Sequence, residues 1–467
     1  MRKTKIICTL GPASEKPETL RQLVHEGADV FRLNMSHAQH DWVREIVPRI
    51  RAIAEELGRS VAILMDTQGP AIRTGDLKTE LHLKPGDILE FTVRGAKSEE
   101  AYSVDVNYDG LINDINEGDT VLVDNGVIHL LVLEKRENRI RCKVITPGTL
   151  GSRRHINLPG VRVNLPPLTQ KDLGDVALGV EMNVDFIALS FVRQRSDLEE
   201  LRELLAQKGS KAQVMAKIED QSAVRLIHEI IASADAIMVA RGDLGIEMPN
   251  RGAADYSAKN CETLRTAGKA GGGRDAHAGI DDPQSPPDPR GNYRCGQRGF
   301  RASRCHHVEW RNQRRDYPVE CVRILNRVAL RIERSGGAGY AKAAVLEDVR
   351  QKTVASAIVL ANSLTRARII VFTRHGTMAR NTANLRPEHA TIFAFTPSEG
   401  VRRQLALCWG TYPVRIKFSD DPNATIEVAE KYLRDAGLTS PGDNLVIISD
   451  LRAGDTLVDT VQLRTAR

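Results

Sequence analysis

Short apolar runs alternate along the chain with stretches of helical periodicity. The runs Lys5–Thr9, Val30–Asn34, Val61–Asp66, Phe186–Phe191, Val214–Ile218 and Ala236–Ala240 predict strands. Between them, Glu18–Glu26, Trp42–Leu57 and Ser196–Gln207 repeat their apolar residues at helical spacing. Strand–helix alternation of this kind builds a parallel sheet covered by helices. The strands end in polar residues: Arg32-Leu-Asn-Met-Ser36, Asp66-Thr-Gln68, Ser190-Phe-Val-Arg193, Lys217-Ile-Glu219 and Arg241-Gly-Asp243. Functional side chains at the C-terminal ends of several parallel strands are the layout of a (β/α)8 barrel.

Residues 75–159 break the rhythm. Turn sequences such as Lys84-Pro-Gly-Asp87, Asn116-Glu-Gly-Asp119 and Asp124-Asn-Gly126 separate short strand-like runs with no helical pattern. The expectation is α/β: a TIM barrel from residues 1–74 and 160–334, with a small β-barrel domain inserted at 75–159. Alternation resumes over 340–467, at Ala367–Thr373, Thr391–Thr396 and Asn444–Ser449. This predicts a C-terminal α/β domain joined through Ser335-Gly-Gly-Ala-Gly339.

Composition changes this picture at one place. The chain has 467 residues, 41% hydrophobic and 27% charged, an ordinary balance that excludes collagen-like, disordered and disulfide-stapled classes. Seven scattered cysteines without a C-x-x-C fit a reducing cytoplasm, and no apolar run suggests a leader or a membrane span. The net charge of +6 invites a nucleic-acid reading. Residues 251–315, however, hold 13 Lys and Arg against 7 Asp and Glu, leaving 53 of each sign elsewhere. All the basicity therefore lies in one window, and no nucleic-acid partner is expected. That window has only Leu264, Ile280 and Val308 as aliphatic residues, with eleven Arg and nine Gly, too few apolar groups for a barrel interior. Its barrel strands seven and eight are accordingly in doubt.

The candidate chemistry sits at the strand ends. Lys217 and Glu219 share one side of a strand because side chains alternate. Glu219 and Asp243, from neighbouring strand ends, suit one hard divalent cation, and a lysine beside them suits phosphate or enolate charge. The alternative is a surface Lys–Glu pair and an Asp in a turn. Arg32, Asn34 and Ser36 likewise share a face, which core packing does not explain. His37 beside them reads as a structural histidine. Asp66-Thr67 supplies oxygen ligands, and Arg73 could hold phosphate. Thr373-Arg-His-Gly-Thr-Met-Ala-Arg380 follows a strand and could cradle a phosphate, or form a plain strand–helix turn.

Together, Lys3–Ser14, Gly27–His37, Met65–Arg73, Asn157–Asp172, Asp185–Arg193, Ala216–Asp220, Asp235–Pro249 and Tyr317–Asn326 resemble the pyruvate kinase family, in its bacterial type. The resemblance implies phosphoryl transfer from phosphoenolpyruvate to ADP, giving pyruvate and ATP. It implies that Arg32 contacts the phosphoryl group and that Lys217 stabilises the transferring group and the enolate. Glu219 and Asp243 would bind Mg2+ or Mn2+. The backbone N–H groups of Gly242 and Asp243 would hold the substrate carboxylate. Asn34, Ser36, Asp66 and Thr67 would bind K+, while Arg73 and Lys171 would face the nucleotide. The family usually has Glu where this chain has Ala71, so K+ dependence is open. A homotetramer, a phosphosugar or AMP effector and a cytoplasmic location follow from the same resemblance. An aldolase of the class II type, also a Mg2+-dependent barrel enzyme, is disfavoured by the inserted β domain and by Arg32–Ser36.

The family's strand-seven motif, with a catalytic Thr in a sequence like A-T-Q-M-L-E-S-M, and its strand-eight motif, like D-A-V-M-L-S-G-E-T, are missing from 251–315. Codons permitted for Arg274–Pro283, read one base later, spell A-T-H-M-L-E-S-M-I. Those permitted for Arg294–Gln313 spell D-V-A-N-A-V-F-E-Q-A-D-A-I-M-L-S-G-E-T. One constant offset implies two compensating frame changes, near Asn250 and Arg315. The cysteines and His306-His307 of the window then have no meaning as a zinc site. The expectation for the chain as written is that the window forms no pair of strands closing the barrel. The alternative function is an inactive, partly folded remnant.

Overall fold

The computed structural model describes residues 1–247, 278–281, 305–307, 317–334, 346, 348–453 and 456–467, with 241–243, 278–281, 305–307, 450–453 and 456–458 described through their backbone alone. Six parallel strands form the core of the first sheet: β1 (Lys5–Thr9), β2 (Val30–Asn34), β3 (Ala62–Asp66), β12 (Phe186–Leu189), β13 (Gln213–Ile218) and β14 (Ala236–Ala240). Nearly every residue in them is buried, because the barrel interior lies on one face and helices on the other. Alternate side chains divide accordingly. Ile7, Val30, Leu64, Phe186, Ala188, Met215 and Met238 pack inside. Ile6, Phe31, Ile63, Ile187, Val214 and Ile237 pack outward among residues such as Leu20, Ile46, Val176 and Leu201.

The sheet has eight strands. β15 (Ala278–Asp281) pairs parallel with β14, and β16 (Cys305–His307) pairs parallel with β1. The two outer strands approach within 8 Å, Cα to Cα, at the seam. The window thus supplies one strand to each outer edge, while among the described residues no ladder joins β15 to β16 to close the barrel, as the sequence reading expected. Ladder bonds use backbone N–H and C=O, which every residue of these two segments supplies, and β14 and β1 would otherwise present open edges. The side-chain composition that argued against strands does not govern backbone pairing.

The start of three strands follows one local rule. Asp29, Asp185 and Asp235 each stand immediately before β2, β12 and β14. Each carboxylate accepts the N–H of a residue on the preceding strand: Ile6 at 2.8 Å, Ile63 at 2.8 Å and Val214 at 2.9 Å. Each also takes an arginine: Arg2 on Asp29, Arg51 and Arg403 at 2.7 Å on Asp185, and Arg202 at 2.7 Å on Asp235.

Helix boundaries are equally local. Pro17 and Pro318 open the helices Pro17–Glu26 and Pro318–Glu333, where a missing N–H costs nothing. Gly27, at φ 110°, ends the first, its N–H reaching the carbonyls of Leu23 and Val24. Thr169 and Asp172 form a capping box at the start of helix Gln170–Glu181.

Between β3 and that helix lie strands β4–β11, from Leu81 to Asn157. These are β4 (Leu81–Leu83), β5 (Ile88–Thr92), β6 (Tyr102–Asp105), β7 (Thr120–Val123), β8 (Ile128–Arg136), β9 (Arg139–Thr146), β10 (Gly148–Leu150) and β11 (Ile156–Asn157). They form a six-stranded sheet, β11-β7-β8-β9-β5-β6, and a two-stranded ribbon, β10-β4, around Leu89, Phe91, Val121, Leu130 and Ile140. One helical turn, Leu111–Asp114, interrupts them, too short to show a period in the sequence. The C-terminal sheet is ordered β19-β18-β17-β20-β21, with β17 Ala367–Phe372, β18 Thr391–Thr396, β19 Thr411–Arg415, β20 Asn444–Ala453 and β21 Thr456–Thr465. β19 escaped the sequence reading because Pro413 sits inside it. The structure tolerates that proline because β19 is an edge strand. The Ser335–Gly339 junction lies outside the described residues.

The C-terminal domain also closes the barrel's N-terminal mouth. Ala406 and Leu407 pack among the barrel's interior side chains. Lys5 Nζ donates to the Thr411 carbonyl at 2.7 Å, and Arg403 reaches Asp185.

Candidate active site

At the opposite end, four charged side chains meet. Arg32 lies on the inner face of β2, Asp66 ends β3, Lys217 lies near the end of β13, and Glu219 follows that strand. Their exposures are 4%, 1%, 7% and 2%. Arg32 Nε donates to Asp66 Oδ2 at 2.7 Å, with Nη2 at 2.5 Å from the same oxygen. Lys217 Nζ lies 3.3 Å from Asp66 Oδ1 and 2.9 Å from Glu219 Oε1. Two cations thus offset two carboxylates where burial of any one alone would be costly.

Burial works against both charged forms, and the pairing outweighs it. Desolvation pushes the Asp66 carboxyl up, but Lys217 and Arg32 together hold it below the usual range. Desolvation likewise pushes the Lys217 ammonium down, but Asp66 and Glu219 hold it above the usual lysine value. The lysine is a fixed cation at neutral pH.

Backbone geometry aims the remaining groups. Phe191 occupies the left-handed region, at φ 55°, where a bulky residue is strained. In that conformation its N–H donates to Glu219 Oε2 at 2.7 Å. Ser190, fully buried beside it, accepts from Lys217 Nζ at 2.8 Å. Gly69 permits this close fit: a Cβ there would stand 2.8 Å from Ser190 Cβ and 2.9 Å from a Phe191 ring carbon. The turn carrying Gly69 is pinned by Asp172 Oδ1, which accepts from the N–H groups of Gln68 and Gly69 at 3.0 and 3.1 Å.

Of the expected oxygen ligands, Asn34 and Asp66 are register partners on adjacent strands, and Thr67 follows directly. Asn34 Oδ1 accepts from Ser36 N–H at 3.1 Å, while the Ser36 side chain is exposed. Thr67 Oγ1 donates to the Ala188 carbonyl at 3.1 Å. His37 is exposed, so it is not the packed structural histidine expected from the sequence.

The two residues expected to face the nucleotide lie on different supports. Arg73 bridges to His155 at the root of the inserted domain, with Nη1 donating to the Arg153 carbonyl at 3.2 Å. Lys171 turns toward the β2 loop, donating to the Met35 carbonyl at 2.7 Å and to Asp175 at 2.6 Å. No hydrogen bond or ion pair joins Arg73 to Lys171 among the described residues.

Gly242 and Asp243 open the helix Arg241–Glu247 directly after β14, and the direction of the Asp243 side chain lies outside the described residues. Glu219, Asp220, Gln221 and Glu247 line a pocket between the barrel and the inserted domain, together with Asn157 and Phe191. Among the described residues no group of three or more His, Cys, Asp or Glu side chains could hold a metal alone. A cation held by Glu219 and Asp243 would need substrate oxygens and water. Mg2+ favours such a site, so the donor set fits it.

Ser190, the Phe191 N–H and Thr9, whose Oγ1 accepts from Arg32 at 3.1 Å, were not assigned roles from the sequence. The one available signal was Ser190-Phe-Val-Arg193 as another polar strand end.

Comparison with known proteins accords with this geometry. The family model described as pyruvate kinase, barrel domain, matches residues 1–270, ending inside the anomalous window. The model described as pyruvate kinase, alpha/beta domain, matches 351–462. Pyruvate kinases of Staphylococcus aureus strains USA300 and MRSA252 are 34% identical over 98% of this chain and 79% of their own length. The crystal structure of a pyruvate kinase from Cryptosporidium parvum superposes with a TM-score of 0.91 at 27% identity, covering 100% of this chain and 96% of that one. The chain belongs to the pyruvate kinase family, whose glycolytic reaction moves the phosphoryl group of phosphoenolpyruvate to ADP.

Proposed function

We propose that this chain carries out the family reaction through the Arg32–Asp66–Lys217–Glu219 cluster. The single observation behind this reading is the buried, charge-balanced cluster at the C-terminal strand ends. A nucleotide phosphate oxygen attacks phosphorus, the bond from phosphorus to the enolate oxygen breaks, and the enolate takes a proton at carbon to give pyruvate. Lys217, held cationic by its neighbours, faces the charge that develops on the phosphoryl and enolate oxygens. Arg32, oriented by Asp66 and Thr9, offers its guanidinium to the phosphoryl group. The backbone N–H groups of Gly242 and Asp243 hold the carboxylate. Arg73 and Lys171 face the nucleotide.

Glu219 and Asp243 would hold Mg2+ or Mn2+, which would supply positive charge to offset that of the phosphoryl group. Asn34, Ser36, Asp66 and Thr67 would hold K+. Ala71 removes a carboxylate from that neighbourhood, so the preference for K+ should be weak. A homotetramer, a phosphosugar or AMP effector near Thr373–Arg380 and a cytoplasmic location belong to the same reading. The buried thiols of Cys8 and Cys142, outside any disulfide, support that location. The inactive remnant is not favoured, since relatives align across 98% of the chain.

Pyruvate formation from phosphoenolpyruvate and ADP, assayed with Mg2+ in K+, Na+ or a large organic cation, tests the reading. ATP and pyruvate in equal amounts are expected, with activity in Na+ as well as K+. A folded protein that forms neither product would overturn the reading, and a strict K+ requirement would overturn the role given to Ala71.

A further inference from the structure

We propose that Ser190 is a positioning residue that holds the Lys217 ammonium and ties it to the Thr67 carbonyl. The proposal rests on the role given to Lys217 above. An ammonium has three N–H donors and no acceptor. Among the described residues, three oxygens surround Lys217 Nζ: Asp66 Oδ1 at 3.3 Å, Glu219 Oε1 at 2.9 Å and Ser190 Oγ at 2.8 Å. Ser190 is the only uncharged member. Its hydroxyl donates to the Thr67 carbonyl at 2.7 Å. The direction of this chain follows from chemistry, because an ammonium only donates and a carbonyl only accepts. The order is Lys217 N–H to Ser190 Oγ, then Ser190 O–H to Thr67 C=O.

The carboxylates attract the ammonium from two sides without anchoring it to the backbone of the β3 turn. Ser190 does anchor it. Its own N–H donates to Thr67 Oγ1 at 3.2 Å, and Gly69 packs against its Cβ. Ser190 thus joins the residue that faces the phosphoryl group to a turn that supplies oxygens for a monovalent cation. A cation drawing on the Thr67 carbonyl would shift the lysine through one hydroxyl. When substrate oxygens arrive, the neutral hydroxyl is also the partner Lys217 can leave at least cost, since hydrogen bonds between ions are the stronger ones.

The test uses the full chain and two variants. Ser190→Ala removes the hydroxyl, and Ser190→Cys keeps the size with a poor acceptor. Lys217 modification by trinitrobenzenesulfonate, read by peptide mass, needs no turnover. Both variants should react about tenfold faster than the parent, the scale of one lost hydrogen bond to a charge, and should lose the difference between potassium and tetramethylammonium salts. Under turnover, kcat should fall about 10- to 100-fold with a smaller change in KM for phosphoenolpyruvate. Unchanged melting of Ser190→Cys separates positioning from folding. Equal modification rates in parent and variants, including no reaction in any, overturn the proposal, as does an unchanged potassium response. Lys217→Met tests the underlying reading separately. If that variant keeps full activity, the role of Lys217 falls. If it is inactive while both Ser190 variants match the parent, only the Ser190 proposal falls.

Discussion

The two mouths of the barrel both bury charge, and they bind it differently. At the N-terminal mouth, Asp29, Asp185 and Asp235 each accept a backbone N–H from the neighbouring strand, so their charge is built into the sheet. Arginines complete each carboxylate, and Ala406 and Leu407 of the C-terminal domain fill the opening. At the C-terminal mouth, Asp66 is held by the side chains of Arg32 and Lys217, and Glu219 by Lys217 and a strained backbone donor. Charge bonded to the ladder is fixed and serves stability. Charge bonded to other side chains can change partners when a substrate brings phosphate and carboxylate oxygens. The same barrel therefore keeps a sealed end and a reactive end.

The sharpest break of this comparison is Lys217→Met. Phosphotransfer should fall about 10³-fold, the scale of losing a preorganised charge at a transferring group. The variant should also unfold at lower denaturant, because Asp66 and Glu219 are left as buried like charges. Asp185→Ala at the sealed end should give the reverse pattern. Urea unfolding should show a loss of about 3–5 kcal/mol, since Arg51, Arg403 and the Ile63 N–H lose their partner, while kcat of the folded fraction stays near the parent value. A large kcat loss in Asp185→Ala would blur the distinction between the two ends.

The anomalous window sharpens it from another side. In the reading one base later, Asp stands at position 304, immediately before Cys305–His307, as Asp29, Asp185 and Asp235 stand before β2, β12 and β14. The chain as written has Arg304 there. The shifted frame would extend the N-terminal Asp rule to a fourth strand and restore the Thr of the family's strand-seven motif. Replacing 251–315 by that sequence should raise kcat about 10²-fold through restored positioning, measured in the phosphoenolpyruvate assay. It should also raise the melting temperature.

The smallest expected effect is that of pH. Asp66 has a folded pKa below its unfolded value, so its contribution is whole above ~3.9 and is lost as pH falls toward the folded pKa. Lys217 has a folded pKa above its unfolded value, so its contribution is whole below ~10.4 and is lost as pH rises through the folded pKa. The stability difference between parent and Asp66→Asn, followed by urea unfolding, should therefore be flat from about pH 4 to 10 and shrink only in acid. A shrinking difference near pH 7 would show that the cluster is not held in its ionised form.

The barrel strands, their helices and the polar strand ends were legible because the amino-acid pattern expresses them locally. Burial on both faces makes a strand a continuous apolar run, and helices repeat with a fixed period. Lys217 and Glu219 could be placed on one side of a strand by alternation alone. The edge strand β19 was hidden because Pro413 is permitted only by its position at the sheet's rim. The strands at 278–281 and 305–307 were hidden because pairing depends on which backbone edges lie open, not on the side chains of the segment that fills them. Ser190, the Phe191 N–H and Thr9 acquire partners from segments far away in the chain, from Thr67 and Glu219 to Arg32. Sequence alone determined which residues could carry the chemistry, because charge, size and local period belong to each residue. Tertiary structure alone decided which charges meet and which are sealed away, because hydrogen bonds and burial depend on distances that only the folded chain sets.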